Sequence, residues 1–110
     1  MSSFFPSSLV VKKVAPTTLA DDKSHNVSNV DIPFYAADMQ CQTAAVKIGV
    51  AGSMDFVLYP NETYWTYNAN LKDFQVMNNV PTVDGQLIVI ATVPNQFVEA
   101  ALKQGFKAWG

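Results

Sequence analysis

Five short runs rich in β-branched and aromatic residues follow one another from Thr43 onward, and they constrain the fold more than any other feature. The runs are VKIGV, DFVLY, TYWTY, LKDFQVMN and QLIVIATV. Residues that favour turns separate them, such as Ala51-Gly52-Ser53 and Asp84-Gly85. This pattern predicts a mainly β fold, a small antiparallel β-sandwich or barrel of roughly five to seven strands.

Two of these runs are predicted to be antiparallel neighbours. Asp55 to Tyr59 and Thr63 to Tyr67 are separated only by Pro60-Asn61-Glu62, a sequence that favours a turn. We therefore expect the two runs to form a hairpin.

The last run is predicted to be the central strand. Odd-numbered positions from Leu87 to Val93 point one way and even-numbered positions from Ile88 to Thr92 the other, and nearly all are apolar. A strand that is apolar on both faces needs cover on both sides. A domain of this size has little material for a second covering layer, so the pattern favours a partner subunit on one face.

Residues 1–42 differ from the rest of the chain and are predicted to form an extended N-terminal arm, ahead of a β-domain over residues 43–94. The segment from Leu9 to Val14 has the composition of a short strand, and Lys12 and Lys13 suit an edge or solvent-facing position. Residues 17–33 lack periodicity and indicate a long loop. We expect this arm to lie on its own domain or on a neighbouring subunit.

The C-terminal segment, residues 95–110, is predicted to be a short helix that packs on the β-domain. Asn95 can cap it, and an apolar stripe follows at Val98, Leu102, Phe106 and Trp109.

The composition favours a protein that associates with other proteins. The chain is 49% hydrophobic and only 15% charged, so a small domain leaves apolar surface exposed. The net charge is −2 and every cationic residue is a lysine, which argues against direct nucleic-acid binding. The longest apolar stretch is too short to span a membrane. We expect a homo-oligomer, with a trimer favoured.

No catalytic, cofactor or metal site is predicted. Asp21, Asp22 and Asp31 are close in sequence, but their spacing matches no calcium loop. Cys41 and His25 could in principle form a nucleophile pair, but no surrounding motif supports it. A small enzyme or metal-dependent accessory domain remains an alternative, which a bound metal or a reactive Cys41 would support.

A longer stretch resembles small structural proteins of tailed bacteriophage virions. The motifs are Tyr59-Pro-Asn-Glu62, Tyr64-Trp-Thr-Tyr67, Phe74-Gln-Val-Met-Asn78 and Gly85-Gln-Leu-Ile-Val-Ile-Ala91. The resemblance implies a non-enzymatic capsid decoration or cement protein, or a head, collar or fibre-anchor component. Such a protein is made in the host cytoplasm, resides in the virion and binds capsid or portal-proximal subunits.

Candidate interface residues follow from these arguments. They are aromatic or aliphatic side chains that the arm, the strands or the C-terminus would present to a partner: Phe4, Phe5, Leu9, Val10, Trp65, Tyr67, Ile88, Ile90 and Trp109. The cluster Tyr59, Tyr64, Trp65 and Tyr67 also leaves open an alternative, a carbohydrate- or receptor-binding module that uses the aromatic face.

Overall fold

Two antiparallel sheets share one core in the computed structural model, which describes residues 7–16, 22–50 and 52–109. The strands of the described residues are β1 Ser7–Val14, β2 His25–Asn26, β3 Pro33–Gln42, β4 Val46–Val50, β5 Ser53–Leu58, β6 Thr63–Asn70, β7 Phe74–Asn78, β8 Gln86–Pro94 and β9 Lys107–Trp109. The helix α1 spans Val98–Lys103, and short 3₁₀ turns span Leu71–Asp73 and Asn95–Phe97. The predicted mainly β sandwich with a short C-terminal helix is confirmed.

The chain alternates between the two sheets. The larger sheet has five strands in the order β6-β3-β8-β1-β9, and the smaller has four in the order β2-β7-β4-β5. From β5 onward, each of β6, β7 and β8 lies in the sheet opposite to that of the strand before it. Neither sheet is therefore built from one continuous stretch of sequence.

Alternating side chains from both sheets fill the space between them. The larger sheet contributes Val10, Met39 and Val89, and the smaller sheet contributes Val46 and Val76, all fully buried. These five residues come from strands spread over the whole sequence, which makes the core a single unit.

The structure confirms β8 as a central strand. It lies third among the strands of the larger sheet and pairs with β1 on one side and β3 on the other. Its odd-numbered side chains from Leu87 to Val93 are fully buried in the core, and its even-numbered side chains from Ile88 to Thr92 are half-buried on the opposite face.

The expected N-terminal arm is wrong for the described part of residues 1–42. β1 lies between β8 and β9, and β3 lies between β6 and β8, so both are interior strands of the larger sheet. The expected boundary at residues 42 and 43 falls in the short connection from β3 to β4. Phe4 and Phe5 lie outside the described residues.

The expected hairpin between the two runs around Pro60 is also wrong. β5 pairs with β4 in the smaller sheet, whereas β6 pairs with β3 in the larger one. The turn between them is fastened to the end of β3, because the Asn61 amide donates to the Cys41 carbonyl (2.8 Å) and the Cys41 amide donates to the Glu62 carbonyl (3.1 Å). The turn thus carries the chain from one sheet to the other.

The C-terminal helix is shorter than expected. Gly105 adopts a left-handed conformation (φ 90°), which ends the helix. Its amide donates to the Leu102 carbonyl (3.2 Å), and the Phe106 amide donates to the Ala101 carbonyl (3.0 Å), the bonding pattern of a Schellman motif. The chain then continues as β9, which places Trp109 opposite Leu9 in a sheet rather than on a helix.

Candidate interaction surface

The solvent-facing side of the larger sheet is the main candidate site, and we call it the outer face. Residues paired directly across antiparallel strands lie on the same side of a sheet, so the register gives three rows across it. The first row is Tyr67, Ala36, Thr92, Leu9 and Trp109. The second is Trp65, Asp38, Ile90, Val11 and Lys107. The third is Thr63, Gln40, Ile88 and Lys13.

Large aromatic side chains stand at both edges of the outer face. Trp65 and Tyr67 on β6 are 59% and 58% exposed, and Trp109 on β9 is 54% exposed. The rings of Trp65 and Tyr67 contact each other, with centroids 5.0 Å apart. Leu9 is also exposed, and Ile90 lies half-buried at the centre. Apolar side chains therefore extend from one edge of the sheet to the other.

The charges on the outer face are separated by sign. Asp38 lies on β3, on one side of β8. Lys13 on β1 and Lys107 on β9 lie on the other side of β8. All three side chains are exposed. The face is thus acidic on one side of its central strand and basic on the other.

The structure brings most of the predicted interface residues onto this one face. They are Leu9, Trp65, Tyr67, Ile88, Ile90 and Trp109. Val10 is different: it is fully buried in the core, because it points to the opposite side of β1 from Leu9. A role of the six residues in an interface stays a prediction.

Sequence reasoning missed several members of the outer face. Val11 could have been found, because strict alternation along β1 places it with Leu9. Ala36 and Asp38 gave no signal, because β3 was not predicted to be a strand of the domain. Lys107 was assigned to a helix, so its position beside Val11 was hidden.

The aromatic cluster proposed for carbohydrate binding is divided between two surfaces. Trp65 and Tyr67 belong to the outer face. Tyr64 points to the opposite side of β6, where its ring contacts that of Phe56 with centroids 5.2 Å apart. These two rings line a cleft of about 440 Å³ between the sheets, and Asp55 is also among its lining residues. Tyr59 lies exposed at the end of β5.

Cys41 is placed as a core residue. It is fully buried at the end of β3, and its thiol donates to the Ala44 carbonyl (3.0 Å). Burial raises the pKa of the Cys41 thiol, and the negative charge of Glu62 acts in the same direction, whereas a backbone hydrogen bond at Val46 opposes them. His25 lies on β2 of the other sheet.

No group of three or more His, Cys, Asp or Glu residues that could hold a metal ion occurs within residues 7–16, 22–50 and 52–109. No helix in the part of the chain that the structure describes is long and apolar enough to cross a membrane.

No family model and no curated protein matches the chain. Among solved structures, the chain is similar to the unsaturated fatty acid-bound ToxT of Vibrio cholerae, with a TM-score of 0.51 and 12% identity over 86% of this chain and 32% of that one. It is also similar to the cupin domain of Schizosaccharomyces pombe Cnp3, with a TM-score of 0.48 and 9% identity over 89% of this chain and 61% of that one.

A de novo designed double-stranded β-helix has a TM-score of 0.45 and 12% identity over 74% of this chain and 96% of the design. The chain thus spans about a third of the ToxT structure and less than two thirds of the Cnp3 domain. At this level of identity, the likeness to ToxT concerns the fold alone.

Proposed function

We propose that this chain is a non-enzymatic structural protein that assembles with other protein subunits through the outer face. The observation that carries the proposal is the apolar band from Trp65 and Tyr67 on β6, through Ile90, to Leu9 and Trp109 near the other edge. When a partner binds, tryptophan and tyrosine side chains bury a large area at small entropic cost, so they are common among the hot-spot residues of interfaces.

The size of the outer face supports the proposal. Five strands at about 4.8 Å spacing and three rows at about 6.8 Å project to an area on the order of 500 Å². Protruding side chains make the accessible area larger than this projection. Polar positions such as Asp38, Gln40 and Lys13 take up part of this area, and an apolar patch of a few hundred Å² on a small protein is often a functional surface. We therefore expect another protein subunit to cover the outer face when the protein functions.

We further propose that the assembly is a bacteriophage virion, in which the chain acts as a decoration or cement protein bound to capsid or portal-proximal subunits. The support for this setting is the resemblance of the segment from Tyr59 to Ala91, which spans β6, β7 and most of β8. In a particle, many weak contacts act together, so a modest interface is sufficient for stable attachment.

Mass measurement by multi-angle light scattering over a range of concentrations tests the assembly role. We expect the protein to exceed its monomer mass of 12.0 kDa. Ile90→Lys places a charge at the centre of the outer face and should return the protein to a monomer. Val83→Lys is the matched control, because Val83 is exposed in the loop before β8 and belongs to none of the three rows, and this variant should keep the wild-type mass.

A second candidate function is carbohydrate binding at the β6 edge of the outer face. The observation in its favour is the exposed pair of Trp65 and Tyr67 beside the Asp38 carboxylate, which pairs with Trp65 across the strands. Stacking rings next to a hydrogen-bonding carboxylate suit a sugar. A protein that stays monomeric at every concentration, with or without Ile90→Lys, would overturn self-assembly and favour this candidate.

A further inference from the structure

We infer that the outer face binds a second copy of the chain, related to the first by a two-fold axis that runs along β8. The inference rests on the proposed function, because it names the partner of the same surface. A two-fold contact uses one patch twice, so the patch must be complementary to itself. The three rows of the outer face meet this requirement.

An axis along β8 keeps each row facing the same row of the second copy and reverses the order of the strands. β6 then faces β9, β3 faces β1, and β8 faces itself. In the first row, Tyr67 meets Trp109 of the second copy, and the small Ala36 meets the larger Leu9. Aromatic rings therefore meet at both edges, and a small side chain leaves room for a large one between them.

The second and third rows bring opposite charges together. Asp38 lies diagonally between Lys107 and Lys13 of the second copy, within reach of long lysine side chains. Trp65 faces Lys107, so the ammonium group can lie over the indole ring. Each of these contacts occurs twice in the dimer. Charge complementarity of this kind fixes which partner binds and in which register.

A two-fold axis perpendicular to the strands and passing through the second row would give the opposite result. It would place each strand over its own copy, so that Asp38 faces Asp38 and Lys107 faces Lys107. Like charges that face each other repel, and this repulsion weakens binding. The distribution of charge therefore selects the axis along β8, and a closed dimer replaces the trimer that the sequence favoured.

Chemical cross-linking tests this geometry in the Cys41→Ser background. Thr92 lies on β8 and faces itself across the axis, at the spacing of about 10 Å between stacked sheets. Thr63 lies on β6, so the two copies of Thr63 are separated sideways by roughly 19 Å, or four strand spacings. A bismaleimide with a reach of about 10 Å should link Thr92→Cys into covalent dimers and leave Thr63→Cys unlinked.

The control is stringent because both variants replace threonine with cysteine and Thr63 is the more exposed of the two. If Ile90→Lys dissociates the protein but Thr63→Cys becomes cross-linked, or Thr92→Cys does not, the two-fold arrangement is wrong. The assembly role of the outer face would still hold in that case. A wild-type mass of 12.0 kDa at every concentration would overturn both self-assembly through the outer face and the two-fold arrangement.

Charge reversal gives an independent measurement. Asp38→Lys should raise the dimer dissociation constant roughly tenfold or more, because it sets like charges against Lys107 and Lys13. Adding Lys107→Asp to Asp38→Lys restores an opposite pair and should recover most of the lost affinity. Equal dissociation constants for the single and double variants would contradict the proposed pairing.

Discussion

At the scale of single residues, one buried amide organises the loop between β7 and β8. The Asn78 side chain accepts a hydrogen bond from the Gly85 amide (2.9 Å) and donates one to the Asp84 carboxylate (3.0 Å). Gly85 itself is confined between Val46 and the backbone at Ala44, with no room for a Cβ atom. The amide thus fixes the point at which the chain enters the central strand.

Asn78→Ala should lower the free energy of unfolding by about 1–3 kcal/mol, because it leaves the buried Gly85 amide without its partner. Asn29→Ala, at an exposed loop position, is the control and should change the stability by less than about 0.5 kcal/mol. Urea unfolding followed by fluorescence measures both values. Equal stabilities for the two variants would mean that the loop is held by other contacts.

Cys41 should react slowly with thiol reagents. The thiolate is the nucleophile, and the raised pKa keeps the thiol protonated at neutral pH, while burial denies access to the reagent. We expect modification in the native protein to be roughly 100-fold or more slower than that of Thr63→Cys in the Cys41→Ser background, since it requires local opening. Rapid modification of Cys41 in the native protein would support the alternative that the protein is an enzyme with a reactive thiol.

At the scale of strands, the sequence predicts some elements well and others poorly. β8 is predictable because its apolar residues alternate over the whole strand. β3 is not, because Ala36, Ala37 and Asp38 favour strands weakly and Pro33 opens it. Pairing with β6 and β8 overrides these local preferences. Which strands pair is a non-local property, so the order of the larger sheet could not be obtained from the sequence alone.

Deletion of residues 1–40 should therefore abolish cooperative folding rather than remove an arm. It takes away β1 and most of β3, so that β8 loses both of its neighbours. Deletion of residues 1–6 removes no described strand and should leave a sigmoidal thermal transition. Circular dichroism during heating distinguishes the two. A folded protein lacking residues 1–40 would contradict the interior positions of β1 and β3.

At the scale of the whole molecule, the candidate site shows where sequence reasoning succeeded and where it stopped. Large apolar side chains are visible in the sequence, so Leu9 and Trp65 were identified on strand-like runs and Trp109 on the predicted C-terminal helix. Their gathering onto one face depends on a sheet that brings β1, β6 and β9 together. The separation of Asp38 from Lys107 across that face likewise exists only after the strands have paired.

The position of β1 also has a consequence for how the protein is made. β1 precedes the other described strands in the chain, but its two neighbours, β8 and β9, are synthesised after all of the others. At an elongation rate of about 5–20 residues per second, this interval is on the order of ten seconds. During it, β1 lacks both of the strands that it pairs with, whereas β3 can already pair with β6. Until β8 and β9 emerge, β1 stays unpaired, and we expect the nascent chain to bind chaperones that recognise exposed strands during translation.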